Sequence, residues 1–294
     1  MVTVKIGRRE WLKGVAAFLI PVGCSTGTNR QEISRLEEEI VEDLSWSNYV
    51  RTLYQLCEKQ GRSFVGKEKL FYRYLDWLSE ISGTPINHGN FSIWPGGNSL
   101  GWAVSFEDHM DLSDRTIDLN QVSHEFGHLT DKHLNPIRYM LSREHRVRVE
   151  AVAEAFAHYT GLRLMQEGNS LESKDHLLHR RVEMIFEKEG VSRSYDPIEI
   201  MHVMFYGYKG LDDIIKNQRA PIAGTSIVMI LIAEFREMEK TWRFLAEHRE
   251  DEVYSKCNKI IEKEGSLVKA LQEGYKSTVD ESNELIQKNQ EGIR

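Results

Sequence analysis

Between residues 31 and 81 apolar side chains recur three and four positions apart, as in Leu53, Leu56 and Cys57 and again in Leu70, Tyr74, Trp77 and Leu78. That spacing predicts two or three helices, each burying one stripe. Turn-forming residues gather over 83–95. Apolar and polar positions then alternate over 101–106, where Trp102, Val104 and Phe106 share a face, and a second short run follows at 116–119. Both predict short strands of a small sheet. Asn120 stands as the N-cap of the next helix, whose buried face is Val122, Phe126 and Leu129. Beyond Glu150 the pattern is mostly helical, with breaks expected near 168–170, 190–197, 207–210 and 220–224. The run 226–233 is apolar, but Glu234 cuts it short of a membrane span, so it predicts a buried core helix. After Gly265 the chain turns polar, and its last dozen residues are expected to fray. No repeat or long low-complexity linker interrupts the pattern. The expectation is an α+β fold, predominantly helical, with a small sheet ahead of one central helix and a helical C-terminal part.

The chemistry concentrates within that central helix, where residues 124–128 read His124, Glu125, Phe126, Gly127, His128. Four residues of α-helix turn through about 400°, so the two imidazoles lie one above the other on a single face and can grip one metal ion. Glu125 falls beside the open coordination position, where a base acting on metal-bound water has to be. A catalytic zinc site keeps three protein ligands and leaves a place for water, so a third ligand is required. Glu150 opens the alanine-rich segment 150–158, strongly helical by propensity, and Glu154 shares its face. A second helix crossing the first can present Glu150 to the metal while Glu154 accepts a hydrogen bond from a ligand imidazole. Two alternatives stay open: Glu154 as the ligand, and Glu150 as a solvated carboxylate among Arg143, Arg146 and Arg148.

These residues resemble the gluzincin metallopeptidases of the zincin superfamily, in which HExxH is followed by a helix carrying a glutamate ligand and, four residues later, an acidic partner. The resemblance covers residues 124–128 and 150–157. Within the superfamily, HEFGH followed by ExxAExFA is similar to the ImmA/IrrE-type branch, with Glu154 where that branch has Asp or Asn. Residues 224–245 also resemble the helix pair that follows the site in other gluzincins. Metzincins are the nearest rival. They place a third histidine six positions after HExxH with a glycine between, whereas here His133 comes one position early and Asp131 occupies the glycine's place.

The gluzincin resemblance implies Zn2+ held by His124, His128 and Glu150, with Glu154 orienting a ligand imidazole. It implies a zinc-dependent metallopeptidase whose Glu125 accepts a proton from metal-activated water and returns it to the leaving amine. A further donor steadies the oxyanion in such sites. Candidates are His202, Tyr206 and Tyr208, then His158 and Tyr159. The strand at 101–106 offers either an edge for substrate β-augmentation or an ordinary half-buried strand.

The amino terminus carries a second signal. Residues 7–13, with Arg8 and Arg9 followed by Trp11, resemble the twin-arginine export motif. An apolar stretch over 14–22 has the length of a signal h-region and is too short to span a bilayer. Pro21, Val22, Gly23 and Cys24 then resemble a lipobox, with Pro21 in place of the usual leucine and Cys24 as the acylated first mature residue. This divides the chain into a signal peptide (1–23), a tether (24–30), a helical N-terminal region (31–82), a zincin-like core (83–265) and a polar tail (266–294). It also implies a bacterial or archaeal protein exported to the outer side of the cytoplasmic membrane, attached through an N-terminal lipid anchor. Removing 1–23 takes away four cations and one anion, lowering the formal charge from −7 to −10. A nucleic-acid partner is thereby disfavoured, because phosphate binding needs a basic face. The expected partner is a peptide or protein substrate. Cys57 and Cys257 can pair in an oxidising compartment or remain thiols. Two other classes stay open: a surface-attached zinc-bearing binding lipoprotein without turnover, and a cytoplasmic regulatory protease of the ImmA/IrrE kind.

Overall fold

A computed structural model describes residues 43–58, 63–96, 109–114, 117–168, 205 and 207–292. The signal and tether region, the strand expected at 101–106, Thr116, the break at 190–197, His202 and Tyr206 lie outside the described residues.

Helix α1 (Trp46–Cys57) buries Tyr49, Val50, Leu53 and Leu56, one stripe at helical spacing. A 3-10 turn (Glu68–Phe71) leads into α2 (Tyr72–Ser82), which buries Tyr74, Leu75 and Leu78 and ends at Gly83 in the left-handed region, φ 71°. The Tyr49 hydroxyl donates to the Leu70 carbonyl at 2.7 Å and accepts the Tyr74 backbone N–H at 3.1 Å, tying α1 to the 3-10 turn and to α2. Two four-residue strands follow, β1 (Phe91–Trp94) and β2 (Met110–Ser113), paired in parallel with Phe91 opposite Met110 and Trp94 opposite Ser113. Residues 83–95 are therefore more than turn, because Phe91 and Ile93 bury one face of a strand.

The strand expected at 116–119 is corrected: Ile117 and Asp118 have no regular structure, and Leu119 already belongs to α3 (Leu119–Leu129). The cap is Asp118 rather than Asn120. Its carboxylate accepts the Gln121 backbone N–H at 2.7 Å, which satisfies one of the orphan donors of the first turn. The fold is thus predominantly helical, with a small two-stranded sheet ahead of the helix that carries His124, Glu125 and His128, and this matches the zincin-like arrangement expected.

After α3 comes the short α4 (Pro136–Leu141), then α5 (Arg143–Gln166), buried on every side from Val147 to Gly161. Beyond the segment outside the described residues the chain continues through α6 (Leu211–Asn217), α7 (Ala220–Phe235), α8 (Met238–Glu247), α9 (Glu250–Glu264) and α10 (Leu267–Gly292). The break expected at 220–224 is instead the first turn of α7, where Pro221 fits because its missing N–H is one of the unpaired donors anyway. Residues Ile222–Ala233 of α7 are all buried, as expected of a core helix. Among the described residues no helix is long and apolar enough to cross a membrane. The polar tail is helical to Gly292, where composition alone suggests fraying.

α5 is the axis of the assembly, packed against α3, α7 and α8. α7 in turn lies against α10, where a Cβ added at Gly274 would collide with the Met229 carbonyl oxygen. The N-terminal helices brace α3 from behind through Tyr74, whose hydroxyl pairs with the Ser123 hydroxyl at 2.8 Å. No disulfide joins Cys57 and Cys257; the first is half-buried in α1 and the second buried in α9.

Candidate metal centre

The site is built where α3 crosses α5. At the crossing Gly127 faces Ala153, and a Cβ on Gly127 would stand 2.7 Å from the Ala153 Cα, closer than two carbons can pack. Phe126 stacks on Phe156 beside this point, with ring centroids 5.7 Å apart. The close approach draws Glu150 and Glu154 of α5 up to the imidazoles of α3.

One ligand atom from each of His124, Glu125 and His128 lies within 4.8 Å of the others, and all three residues are buried. The His124 and His128 rings sit edge to face with centroids 5.0 Å apart. The His124 Nε2 is 3.6 Å from a Glu150 carboxylate oxygen, and its Nδ1 is 3.4 Å from Glu154. The two carboxylates therefore occupy opposite edges of one ring. Glu150 shares the Nε2 edge, while Glu154, fully buried, sits behind the ring. The Nε2 of His128 lies 3.8 Å from Glu125.

Burial alone would raise the Glu150 carboxyl. The neighbouring His124 and His128 imidazoles and the Tyr139 hydroxyl outweigh it and hold the group at about 2. Glu150 is accordingly an anion throughout the physiological range, as a zinc ligand must be. The two imidazoles and Glu125 form the cluster whose ligand atoms lie within 4.8 Å of one another, and Glu150 joins it through the Nε2 edge of His124 alone, so imidazole and carboxylate donors of the kind that suit zinc meet at this crossing.

Two neutral donors hold the carboxylates, and neither was found from sequence. The Gln121 side-chain amide donates to Glu125 Oε1 one helical turn earlier, leaving Oε2 on the His128 side. Tyr139 of α4 donates its hydroxyl to Glu150 Oε1 at 3.1 Å. Burial, then the negative Glu150 beside it, push this hydroxyl well above its ordinary range, so it keeps its proton. The available signal was Asn135-Pro136, a helix start that sets Tyr139 one turn into a helix ending a single residue before α5.

The other candidates fall elsewhere. Tyr208 accepts a hydrogen bond from the Gln218 amide at 3.0 Å and meets Phe205 edge-on, within its own segment. Tyr159 stacks on Trp242 at 5.3 Å and serves packing. His158 is buried in α5. His133 turns its Nε2 to the Glu247 carbonyl at 2.9 Å. Asp131, in the place where a metzincin carries glycine, forms a fully buried ion pair with Arg148 at 2.5 Å. Comparison with models of protein families, with curated proteins and with solved structures returns no match.

Proposed function

We propose that this chain is a zinc-dependent metallopeptidase in which His124, His128 and Glu150 hold the metal and Glu125 is the general base. The observation that carries the reading is the convergence of the His124, Glu125 and His128 ligand atoms within 4.8 Å, with the Glu150 carboxylate on the Nε2 edge of His124. Zinc bound there supplies a Lewis acid and lowers the pKa of water at its open position to about 7. Glu125, with Oε1 held by Gln121 and Oε2 on the His128 side, would accept a proton from the attacking water and pass it to the departing amine. Glu154 orients the His124 ring from behind, so that Nε2 rather than Nδ1 is the donor atom on the site side. The ImmA/IrrE-type branch remains the resemblance that the two motifs support.

The same proposal makes the protein an exported one, anchored outside the cytoplasmic membrane through Cys24. Its support is the order of Arg8-Arg9, the apolar residues 14–22 and Cys24 in the sequence.

The test is zinc content and peptide-library cleavage for the purified protein beside Glu125→Gln, which removes the base and keeps the ligands. The expected result is about one zinc per chain in both and a loss of at least about 100-fold in kcat in the variant. Zinc retained with no cleavage by either protein would turn the reading to a binding module. Absence of zinc from both would end it.

A further inference from the structure

We infer that Tyr139 is a positioning residue for Glu150, holding one carboxylate oxygen so that the other is aimed at the metal. The inference rests on the zinc reading and deepens it. α4, which carries Tyr139, buries none of its residues. Its apolar side chains Ile137, Met140 and Leu141 are 71%, 74% and 81% exposed, so burial of apolar surface does not explain why this helix forms here.

What holds α4 is polar and lies at its ends. Asn135 caps the first turn by accepting the Arg138 N–H at 3.1 Å, and the Ser142 N–H closes the last turn on the Arg138 carbonyl at 2.8 Å. Arg138 ties the helix to Glu250 at the start of α9. Tyr139 lies on the side away from the exposed apolar residues, since it stands about 160° round the helix from Ile137 and Leu141 and about 100° from Met140. Its hydroxyl reaches Glu150 Oε1 at 3.1 Å, while Glu150 Oε2 is the oxygen 3.6 Å from His124 Nε2. Glu150 is fixed on its other flank by α7, where a Cβ on Gly224 would stand 3.0 Å from the Glu150 Cβ. One oxygen is thus occupied by a neutral donor and the other faces His124 Nε2, a division that favours attachment to the metal through a single oxygen.

The test uses the full chain as wild type, Tyr139→Phe and Arg138→Met. Zinc affinity is measured by competition with a chromophoric chelator, and the visible spectrum is recorded after cobalt substitution. Tyr139→Phe keeps the ring and removes the hydroxyl. It is expected to bind zinc 10- to 100-fold more weakly, in line with the loss of other groups that orient ligands, and to show an altered cobalt spectrum. Arg138→Met loosens α4 but leaves the hydroxyl, and should weaken binding by a smaller factor. Wild-type zinc affinity and an unchanged spectrum in Tyr139→Phe would overturn the inference while leaving the zinc reading intact. A wild type that binds no zinc would instead overturn that reading, and this inference with it.

Discussion

His124 is held at both edges of its ring, with Glu150 at 3.6 Å from Nε2 and Glu154 at 3.4 Å from Nδ1. An imidazole has one proton to place in its neutral form, and a buried carboxylate behind Nδ1 draws it there, leaving the Nε2 lone pair for a metal. Glu154→Gln keeps the shape of the side chain and removes the charge. The expected outcome is zinc affinity lowered by about 10- to 100-fold in chelator competition, with the fold retained; unchanged affinity would deny Glu154 this part. His124, Glu125 and His128 were legible in the sequence because their relation is local, set by the turn of one helix. Glu150 and Glu154 were legible as a pair for the same reason, but which of them shares the Nε2 edge of His124 depends on how two helices cross. Tyr139 and Gln121 were not singled out at all. An aromatic in a six-residue helix and an amide one turn before a glutamate are common, and only the tertiary contacts mark these two.

Among the elements, the site depends on two crossings that tolerate no side chain. Gly127 lets α3 reach α5, and Gly224 lets α7 reach α5 on the far side, where an added Cβ would meet the Ala151 nitrogen at 2.9 Å. Backbone atoms cannot move aside as the end of a flexible side chain can. Gly127→Ala is therefore expected to cost about 1–3 kcal/mol of stability and to weaken zinc binding, since the same shift separates His124 from Glu150. Urea unfolding and chelator competition on one sample check both parts; a variant as stable as wild type would mean that the helices meet less closely. These glycines also show why some elements were misread. Gly224 and Pro221 suggested a break at 220–224, yet the proline suits a first helical turn and the glycine serves a close approach. At 116–119 the β-rich letters suggested a strand, while Asp118 capping Gln121 starts the helix there. The strand Phe91–Trp94 was hidden among turn formers, because four residues are too few to show a period.

Across the whole molecule, buried charge ties the site helices to the C-terminal ones. Arg148 of α5, fully buried, pairs with Asp131 just after α3 and donates to the carbonyls of Leu245 at 3.1 Å and His248 at 3.2 Å, at the end of α8. Breaking a buried pair by removing one partner leaves an uncompensated charge, so Asp131→Ala is expected to cost about 3–5 kcal/mol in denaturant unfolding. A loss under 1 kcal/mol, the range of exposed pairs, would contradict this.

A second tie carries a pH dependence. Burial pushes the Glu281 carboxyl of α10 up to about 7, against the Met238 backbone N–H at the start of α8, which pulls it down. The folded chain thus holds this proton more tightly than the unfolded chain, whose value is 4.5. The stabilising contribution is complete below 4.5 and is lost as pH rises through 7. Glu281→Gln removes this slope, so its stability should gain on wild type between pH 5 and pH 8; parallel curves for the two proteins would refute the assignment. Predominant helicity was legible from periodicity, and a small sheet before the site helix was expected although its two strands, Phe91–Trp94 and Met110–Ser113, lie outside the runs that suggested it, whereas these ties join residues far apart in the chain and leave no periodic trace.

The most direct test of the metal centre is anomalous diffraction at the zinc edge on crystals of the purified protein. A single peak about 2.0–2.2 Å from His124 Nε2, His128 Nε2 and a Glu150 oxygen is the expected result. No peak there, or a peak bound by Glu154 in place of Glu150, would contradict it.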